Sequence, residues 1–462
     1  MRGYKLAVDF QKRVNELEQF VAEQAIVITQ LRDEIARLKK NSSNSSKPPS
    51  SDIVSGKPKS QYKDRKEKKK KRGGQKGRKA CVRQPFEQDK VDEWVTHSLD
   101  LDPTVWELLP DDFGVFQQVD LVDCPTVITE HRFARYRNRE TGEIYTTPRP
   151  AELKGQGLFG PRLVALTSCL KSGLHGSYRE IQKLFRDALG LSVSVGYLVK
   201  VTDQMTRALE LPYETLKELI RAQPVVNIDE TGHKENGKRP MTWVATCPIA
   251  TLFRIADTRS AAELYELLGE DFDGVVCSDF FSAYLKFARD NPALRAQYCW
   301  AHLIRELLFL EGLTDKSTRT WAGKVLVEVK KLFRAWRRDQ IAACRRAQAK
   351  IEKLCQRRPK RADIERLGGR IWDYRRDYFR FLEDPSRGIE PTNNPSEQKI
   401  RPVVMHRKVT QGTRSEKGRR WWERVWSMVQ TCRQHGRSVF EYFIEVLAAE
   451  AAGLDPPSPV PV

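Results

Sequence analysis

Val225-Val226-Asn227-Ile228-Asp229-Glu230-Thr231 is a short apolar, β-branched run that ends on an acidic pair. Such a run reads as a buried strand with Asp229 at or near its end. Working outward, Gly274-Val275-Val276-Cys277-Ser278-Asp279 repeats the arrangement. Two strand-end carboxylates side by side repel unless something positive sits between them. A divalent metal is the usual solution. A third carboxylate, Glu397, follows in Asn393-Asn394-Pro395-Ser396-Glu397. Two Asp and a Glu in this order point to metal-assisted phosphoryl transfer on a polynucleotide.

The flanks of the first run support an α/β core. Residues 242–246 and 251–255 read as two further strands, with Glu235-Asn236-Gly237-Lys238 as a hairpin turn. Residues 261–268 read as a helix, 296–300 as a fifth strand, and 301–310 as the helix after it. Three strands, a helix, an Asp-bearing strand, then strand and helix is the order of the ribonuclease-H-like fold. Asp229 would then lie on the central first strand and Asp279 just after the fourth. Residues 313–383 are helical and basic, with Trp321, Val325, Val329, Leu332, Phe333 and Trp336 on one face. They separate Asp279 from Glu397 by 118 positions and read as a helical insertion.

In-line attack on a phosphodiester needs an activated oxygen and a stabilised leaving oxygen. Two Mg²⁺ or Mn²⁺ ions about 3.5–4 Å apart do both when carboxylates hold them. Asp229 is placed to bridge the pair, with Asp279 and Glu397 each completing one site. Each carboxylate also has a plain structural reading. For Glu397 it is a capping box, with Asn394 as N-cap, Pro395 at N1 and Glu397 at N3, in a helix that Pro402 ends or kinks. Glu230 points to the opposite strand face and is read as support. In Cys299-Trp300-Ala301-His302 the Cys–His pair would need two more metal ligands, and none is evident in the sequence. The functional reading is that His302 reaches the scissile phosphate or orients a carboxylate; the structural one is a buried Cys and a helix-start His.

The charge balance fits a polyanionic substrate. The 462 residues carry 81 Lys and Arg against 61 Asp and Glu, a net +20, which favours nucleic acid or an anionic membrane surface. No run approaches the roughly 18 apolar residues of a membrane span. Residues 1–12 show no apolar signal-peptide core. The nine cysteines are scattered without a Cys-x-x-Cys pair, which fits a reducing compartment. The expected location is therefore the cytoplasm.

The chain divides by composition. Residues 1–40 carry a heptad repeat, with Val14, Val21, Ile28 and Ile35 at one core position and Leu17, Gln24, Leu31 and Leu38 at the other. This favours a parallel two-stranded coiled coil; an amphipathic helix packed on the protein's own core is the alternative. Residues 41–85 are a disordered Ser/Lys-rich linker, in which 14 basic and 3 acidic residues lie between Lys47 and Lys79. Its densest run, Lys68, Lys69, Lys70, Lys71 and Arg72, reads as a phosphate-binding arm. Residues 86–150 read as a small β-rich module, with strands at Val127-Ile128 and Ile144-Tyr145. Residues 151–220 are helical, and the turn Gly190–Ser194 between two helices has the pattern of a helix-turn-helix. Residues 221–311 begin the core, 312–389 form the insertion, 390–449 complete the core, and 450–462 are a Pro-rich tail. Lys399, Arg401, Arg407 and Lys408, with Arg414, Lys417, Arg419 and Arg420, surround Glu397 with positive charge suited to phosphate contacts.

Taken in order, Asn41–Asp52 (NSSNSSKPPSSD), Gly73-Gly74-Gln75-Lys76-Gly77, Val225–Thr231, Cys277-Ser278-Asp279-Phe280-Phe281-Ser282-Ala283-Tyr284, Cys299–His302 and Asn393-Asn394-Pro395-Ser396-Glu397-Gln398-Lys399-Ile400-Arg401-Pro402 form a pattern. It resembles the large transposase of the bacterial insertion-sequence sixty-six family over nearly the whole chain. The resemblance implies a DDE transposase with Asp229, Asp279 and Glu397 as the metal-binding triad. Such an enzyme cuts double-stranded DNA at the terminal repeats and joins it to target DNA. The resemblance also implies possible accessory proteins of the same element, and a homodimer or higher assembly on DNA is expected. One departure is clear: residues 86–150 hold only Cys124 where the family commonly has a cysteine-paired zinc module. No structural zinc is expected there. The alternatives are a catalytically silent DNA-binding repressor, or a ribonuclease-H-like nuclease that cuts without joining. The expected fold is an α+β multidomain chain with an N-terminal coiled coil and a ribonuclease-H-like core carrying a helical insertion.

Overall fold

The computed structural model describes residues 2–38, 86–95, 117–119, 125–150, 153, 157–383 and 385–461. The basic arm at Lys68–Arg72 lies outside the described residues. Two compact units are present. One comprises Pro58–His131 and Ala188–Gly190. Within it, the Gln117 side-chain amide bonds both backbone groups of Phe86, accepting from its N–H at 2.6 Å and donating to its carbonyl at 3.0 Å. Val127 and Ile128, expected as a strand, are exposed and pair with no strand among the described residues. Two apolar residues flanked by proline and polar positions give no face to bury.

The larger unit comprises Met1–Lys57, Arg132–Asp187 and Leu191–Val462 and is helix-rich α+β. Helix α1 is Arg2–Leu38. Strands β1 (Arg135–Arg137) and β2 (Ile144–Thr146) form a small antiparallel hairpin. Helices α2 (Pro161–Gly173), α3 (Tyr178–Leu189), α4 (Val195–Ala208) and α5 (Glu210–Arg221) follow. Ser194 caps α4 by accepting from the Tyr197 N–H, as the Ser-led second helix of the turn motif requires.

Next come β3 (Val225–Gly232), β4 (Met241–Thr246), β5 (Thr251–Ala256), α6 (Ala262–Leu268), β6 (Val275–Ser278), α7 (Ser282–Asp290), β7 (Arg295–Tyr298) and α8 (Trp300–Glu311). The sheet order is β5-β4-β3-β6-β7. β3 is thus central, antiparallel to β4 and parallel to β6. Asn236 and Gly237 both take positive φ in the turn before β4, the backbone a two-residue hairpin demands and Asn-Gly tolerates best.

The insertion consists of α9 (Lys316–Trp336), α10 (Ile341–Gln356), α11 (Ala362–Asp373) and α12 (Arg375–Tyr378). It shares one hydrophobic core with β6, β7 and α8, in which Tyr298, Trp300, Trp321, Val325, Tyr378 and Phe379 are buried together. The Arg380 guanidinium donates to the Ala296 carbonyl at 2.7 Å, and Gln297 Oε1 accepts from the Phe381 N–H at 2.9 Å. These bonds tie the insertion's exit to the β7 edge of the sheet.

The chain ends with α13 (Asn394–Thr410), α14 (Glu416–Gln434) and α15 (Val439–Ala452). α13 continues past Pro402 to Thr410, so the proline does not end the helix. The carbonyl that Pro402 leaves without a partner, that of Gln398, belongs to an exposed residue, where water meets it. α14 covers the free edge of β5. Its side chains Glu423, Ser427 and Thr431, one per turn, accept from the N–H groups of Ile255, Phe253 and Thr251 at 2.6, 2.9 and 3.1 Å. A helix repeats about every 6 Å over four residues and a strand about every 6.7 Å over two, so the two rows match.

Along α1, Leu17, Val21, Ile28, Leu31, Ile35 and Leu38 are exposed. Its last turns dock: Asp33 accepts from Thr314, and Arg37 pairs with Asp363 at 2.7 Å. No helix among the described residues is long and apolar enough to cross a membrane.

Candidate functional site: three carboxylates at the strand ends

Asn227 pairs with Cys277 in the parallel β3–β6 register. Asp229 lies two residues further along β3 and Asp279 two residues beyond Cys277, one past the end of β6, so both lie beyond the same end of the β3–β6 ladder. Glu397 arrives from across the insertion through a polar clasp. Asn393 is fully buried; its amide donates to the Ile228 carbonyl at 2.7 Å and accepts from the Asn227 amide at 2.9 Å. Its own N–H donates to Cys299 Sγ at 3.1 Å, and the Trp300 N–H donates to the Pro391 carbonyl at 3.0 Å. Asn393, not Asn394, is therefore the N-cap of α13. It makes no side-chain cap bond, because its amide is spent on β3. The capping-box reading is corrected accordingly, and Glu397 stands one turn from the clasp, its N–H bonded to the Asn393 carbonyl.

The electrostatics report the convergence. Burial, then Glu230, Asp279 and Glu397, hold the Asp229 carboxyl far above the ordinary range. Burial with Glu230 and Glu397, opposed by Arg259, pushes Asp279 up to about 7. Burial raises Glu397, against the pull of Arg305. Glu230, next along β3, turns aside to the Tyr284 hydroxyl and to Arg259, which also stacks on Phe281. His302, in the first turn of α8, has Nδ1 3.8 Å from Glu397 Oε1, and Arg305 sits 3.8 Å from Glu397 Oε2. Burial and then Arg305 push His302 down to about 4, so its ring is neutral at pH 7.

Asp279 Oδ1, Glu397 Oε1 and His302 Nδ1 are buried and lack any hydrogen-bond partner. Orphaned buried oxygens cost free energy. Converging carboxylate oxygens that raise one another's pKa are the donor set of a hard divalent cation. The residues present fit such an ion.

Residues 156–420 match the transposase IS66 family. The chain belongs to this family. Residues 8–84 match a family of unknown function, DUF6444. An uncharacterised protein of Sinorhizobium fredii, y4qI, is 25% identical over 379 residues, which is 73% of this chain and 68% of that one.

A transposase acts on DNA, and the positive residues around Glu397 divide into free and engaged. Arg401 and Lys408 are exposed. Lys399 is half-buried, and its ammonium is held below its usual pKa by burial and by Arg433. Arg407 lies against the end of β3, donating to Thr231 Oγ1 at 3.3 Å. Arg419, by contrast, forms a two-point pair with buried Glu235 at 2.7 Å and contacts Asp257. Arg420 pairs with Glu423 at 2.9 Å. These two hold the transposase together instead of facing a substrate.

Sequence reasoning missed Asn393, Asn227, Arg305 and the neighbourhood of Cys299. One signal was present: an Asn inside the apolar run of β3 requires a buried polar partner. Glu397 also supplies the further metal-binding atom that the Cys299–His302 pair lacked in the sequence.

Proposed function

We propose that this protein is a DDE-type transposase that cuts DNA at the ends of its element and joins the freed 3′-OH to target DNA. What supports this reading is that Asp279 and Glu397 both raise the Asp229 carboxyl and Glu397 raises Asp279, while Asp279 and Glu397 carry orphaned buried oxygens. A ribonuclease-H-like core is supported by a central first strand with the antiparallel run β3-β4-β5 on one side and the parallel strands β6 and β7 on the other.

In this reading Asp229, Asp279 and Glu397 hold two Mg²⁺ or Mn²⁺ ions. Bound there, the ions acidify an attacking hydroxyl and neutralise charge on the leaving oxygen. The residues of the chain do the rest. Arg305 stands beside one oxygen of Glu397 as its counter-charge, and neutral His302 lies beside the other without a hydrogen bond to it. Lys399, Arg401, Arg407 and Lys408 hold phosphates of the strand, and the Lys68–Arg72 arm adds contacts along the duplex. Residues 313–383, with 21 basic and 9 acidic side chains, extend the positive surface. Residues 178–208 serve as a helix-turn-helix, and residues 86–150 as a zinc-free module. The open apolar stripe of α1 pairs with a second copy as a coiled coil, bringing two element ends together. Accessory proteins of the element assist in the cell, where the enzyme works on nucleoid DNA.

The test is cleavage and strand transfer with Mg²⁺ or Mn²⁺ on DNA carrying the element's terminal repeats. Wild type should give nicked and joined products, and Asp279→Ala neither. Equal products from both would leave a DNA-binding repressor or a different catalytic centre as the better account.

A further inference from the structure

The first turn of α8 carries a second donor set beside the carboxylates. Cys299 Sγ, a ring nitrogen of His302 and a carboxylate oxygen of Glu397 all lie within 4.8 Å of one another, and His302 Nδ1 stands 3.8 Å from Glu397 Oε1. Cys299 is the N-cap residue of α8, and His302 follows three residues later, a spacing that puts both on one helical face. The clasp at Asn393 delivers Glu397 to them and bonds to Cys299 itself. His302 Nδ1 and Glu397 Oε1 have no hydrogen-bond partner. Arg305 engages the other oxygen of Glu397, which leaves Oε1 free to ligate. The Glu397 side chain is 32% exposed as a whole, while Oε1 itself is buried.

One sulfur, one imidazole nitrogen and one carboxylate oxygen match Zn²⁺ in a site with an open fourth position. Mg²⁺ disfavours thiol and imidazole donors. We propose that Cys299, His302 and Glu397 form a binding site for a thiophilic divalent cation such as Zn²⁺, separate from the paired aspartates and sharing only Glu397 with them. A carboxylate drawn into this site is withdrawn from Asp229 and Asp279. On the catalytic reading above, the same ion therefore switches the enzyme off. The site owes nothing to the cysteine-paired module that residues 86–150 lack.

The test uses the full chain with Cys81→Ser and Cys124→Ser, stripped of metal and given one equivalent of Zn²⁺. X-ray absorption at the zinc edge should report one sulfur at about 2.3 Å with nitrogen and oxygen ligands. Adding Cys299→Ser should remove the sulfur, and His302→Gln should weaken binding. A zinc shell with no sulfur, or a sulfur that survives Cys299→Ser, overturns the site. If Cys299→Ser fails to fold, the wild-type shell still decides, since two or more sulfurs also overturn it. For the switch, cleavage in excess Mg²⁺ is titrated with Zn²⁺, each variant measured against its own zinc-free rate. Sensitivity should be lost with Cys299→Ser, and retained sensitivity overturns the switch. Because coordination is read without turnover, a failure of the catalytic reading is distinguishable from a failure of this site.

Discussion

Replacing Asn393 by alanine removes both side-chain bonds of the clasp and leaves two polar groups buried without partners. These are the Asn227 amide and the Ile228 carbonyl. Each unmet buried group costs about 1–3 kcal/mol, so the variant should lose roughly 2–5 kcal/mol. That is a large share of a typical domain stability of about 5–15 kcal/mol. The backbone bond to Cys299 survives, so α13 should still form. Glu397, one turn away, loses its anchor to β3, and a displacement near 1 Å costs on the order of 10²-fold in rate. Thermal unfolding followed by tryptophan fluorescence measures the first effect. Cleavage of terminal-repeat DNA, well below the melting point, measures the second. Asn394→Ala is the control: Asn394 is exposed, and its loss should stay within about 0.5 kcal/mol. A folded Asn393→Ala protein with the wild-type rate, or equal losses in both variants, would refute the role given to the clasp.

The Asp279 carboxyl sits at about 7 in the fold and near 3.9 in an unfolded chain, so between those values the folded state holds the extra proton. Stability of the metal-free protein should therefore fall as pH rises through that window; Asp279→Asn should flatten the loss and Mg²⁺ should reverse it, both read as melting temperature. Glu423→Ala strips the Ile255 N–H and Arg420 of their partner. It should cost about 2–4 kcal/mol in thermal unfolding, and no change would mean the β5 edge is held by other means. Changing Lys68 through Arg72 to glutamine should lower the slope of log affinity against log salt by up to about 4.5; an unchanged slope removes the arm from the DNA contact. Ile28→Asp with Leu31→Asp should convert a dimer to a monomer in sedimentation, and an unaltered mass would assign assembly to another surface.

The core was legible wherever its signal is local. The β-branched runs of β3 and β6, the Asn-Gly turn and the helical character of α1 each declare themselves within a dozen residues. The route by which Glu397 is tied to β3 was not legible. That depends on amides at positions 227 and 393, whose pairing no local pattern encodes. Pro402 does not end α13; the carbonyl it leaves unpaired, that of Gln398, belongs to an exposed residue, so losing that bond costs less than it would in a buried turn. Arg419 and Arg420 looked like substrate contacts because their partners, Glu235 and Glu423, are set against them only by the packing of α14 on the sheet.

The row of Glu423, Ser427 and Thr431 along β5 has a consequence for biosynthesis. These residues follow their strand partners by 168, 174 and 180 positions. A nascent chain thus carries an unpaired strand edge until residues 423–431 leave the ribosome. Bare edges recruit other strands and aggregate. A copy of the gene truncated before residue 423 would yield a chain with Asp229, Asp279 and Glu397 all present yet prone to precipitate. Degenerate copies would then be removed by insolubility before they could compete for DNA ends.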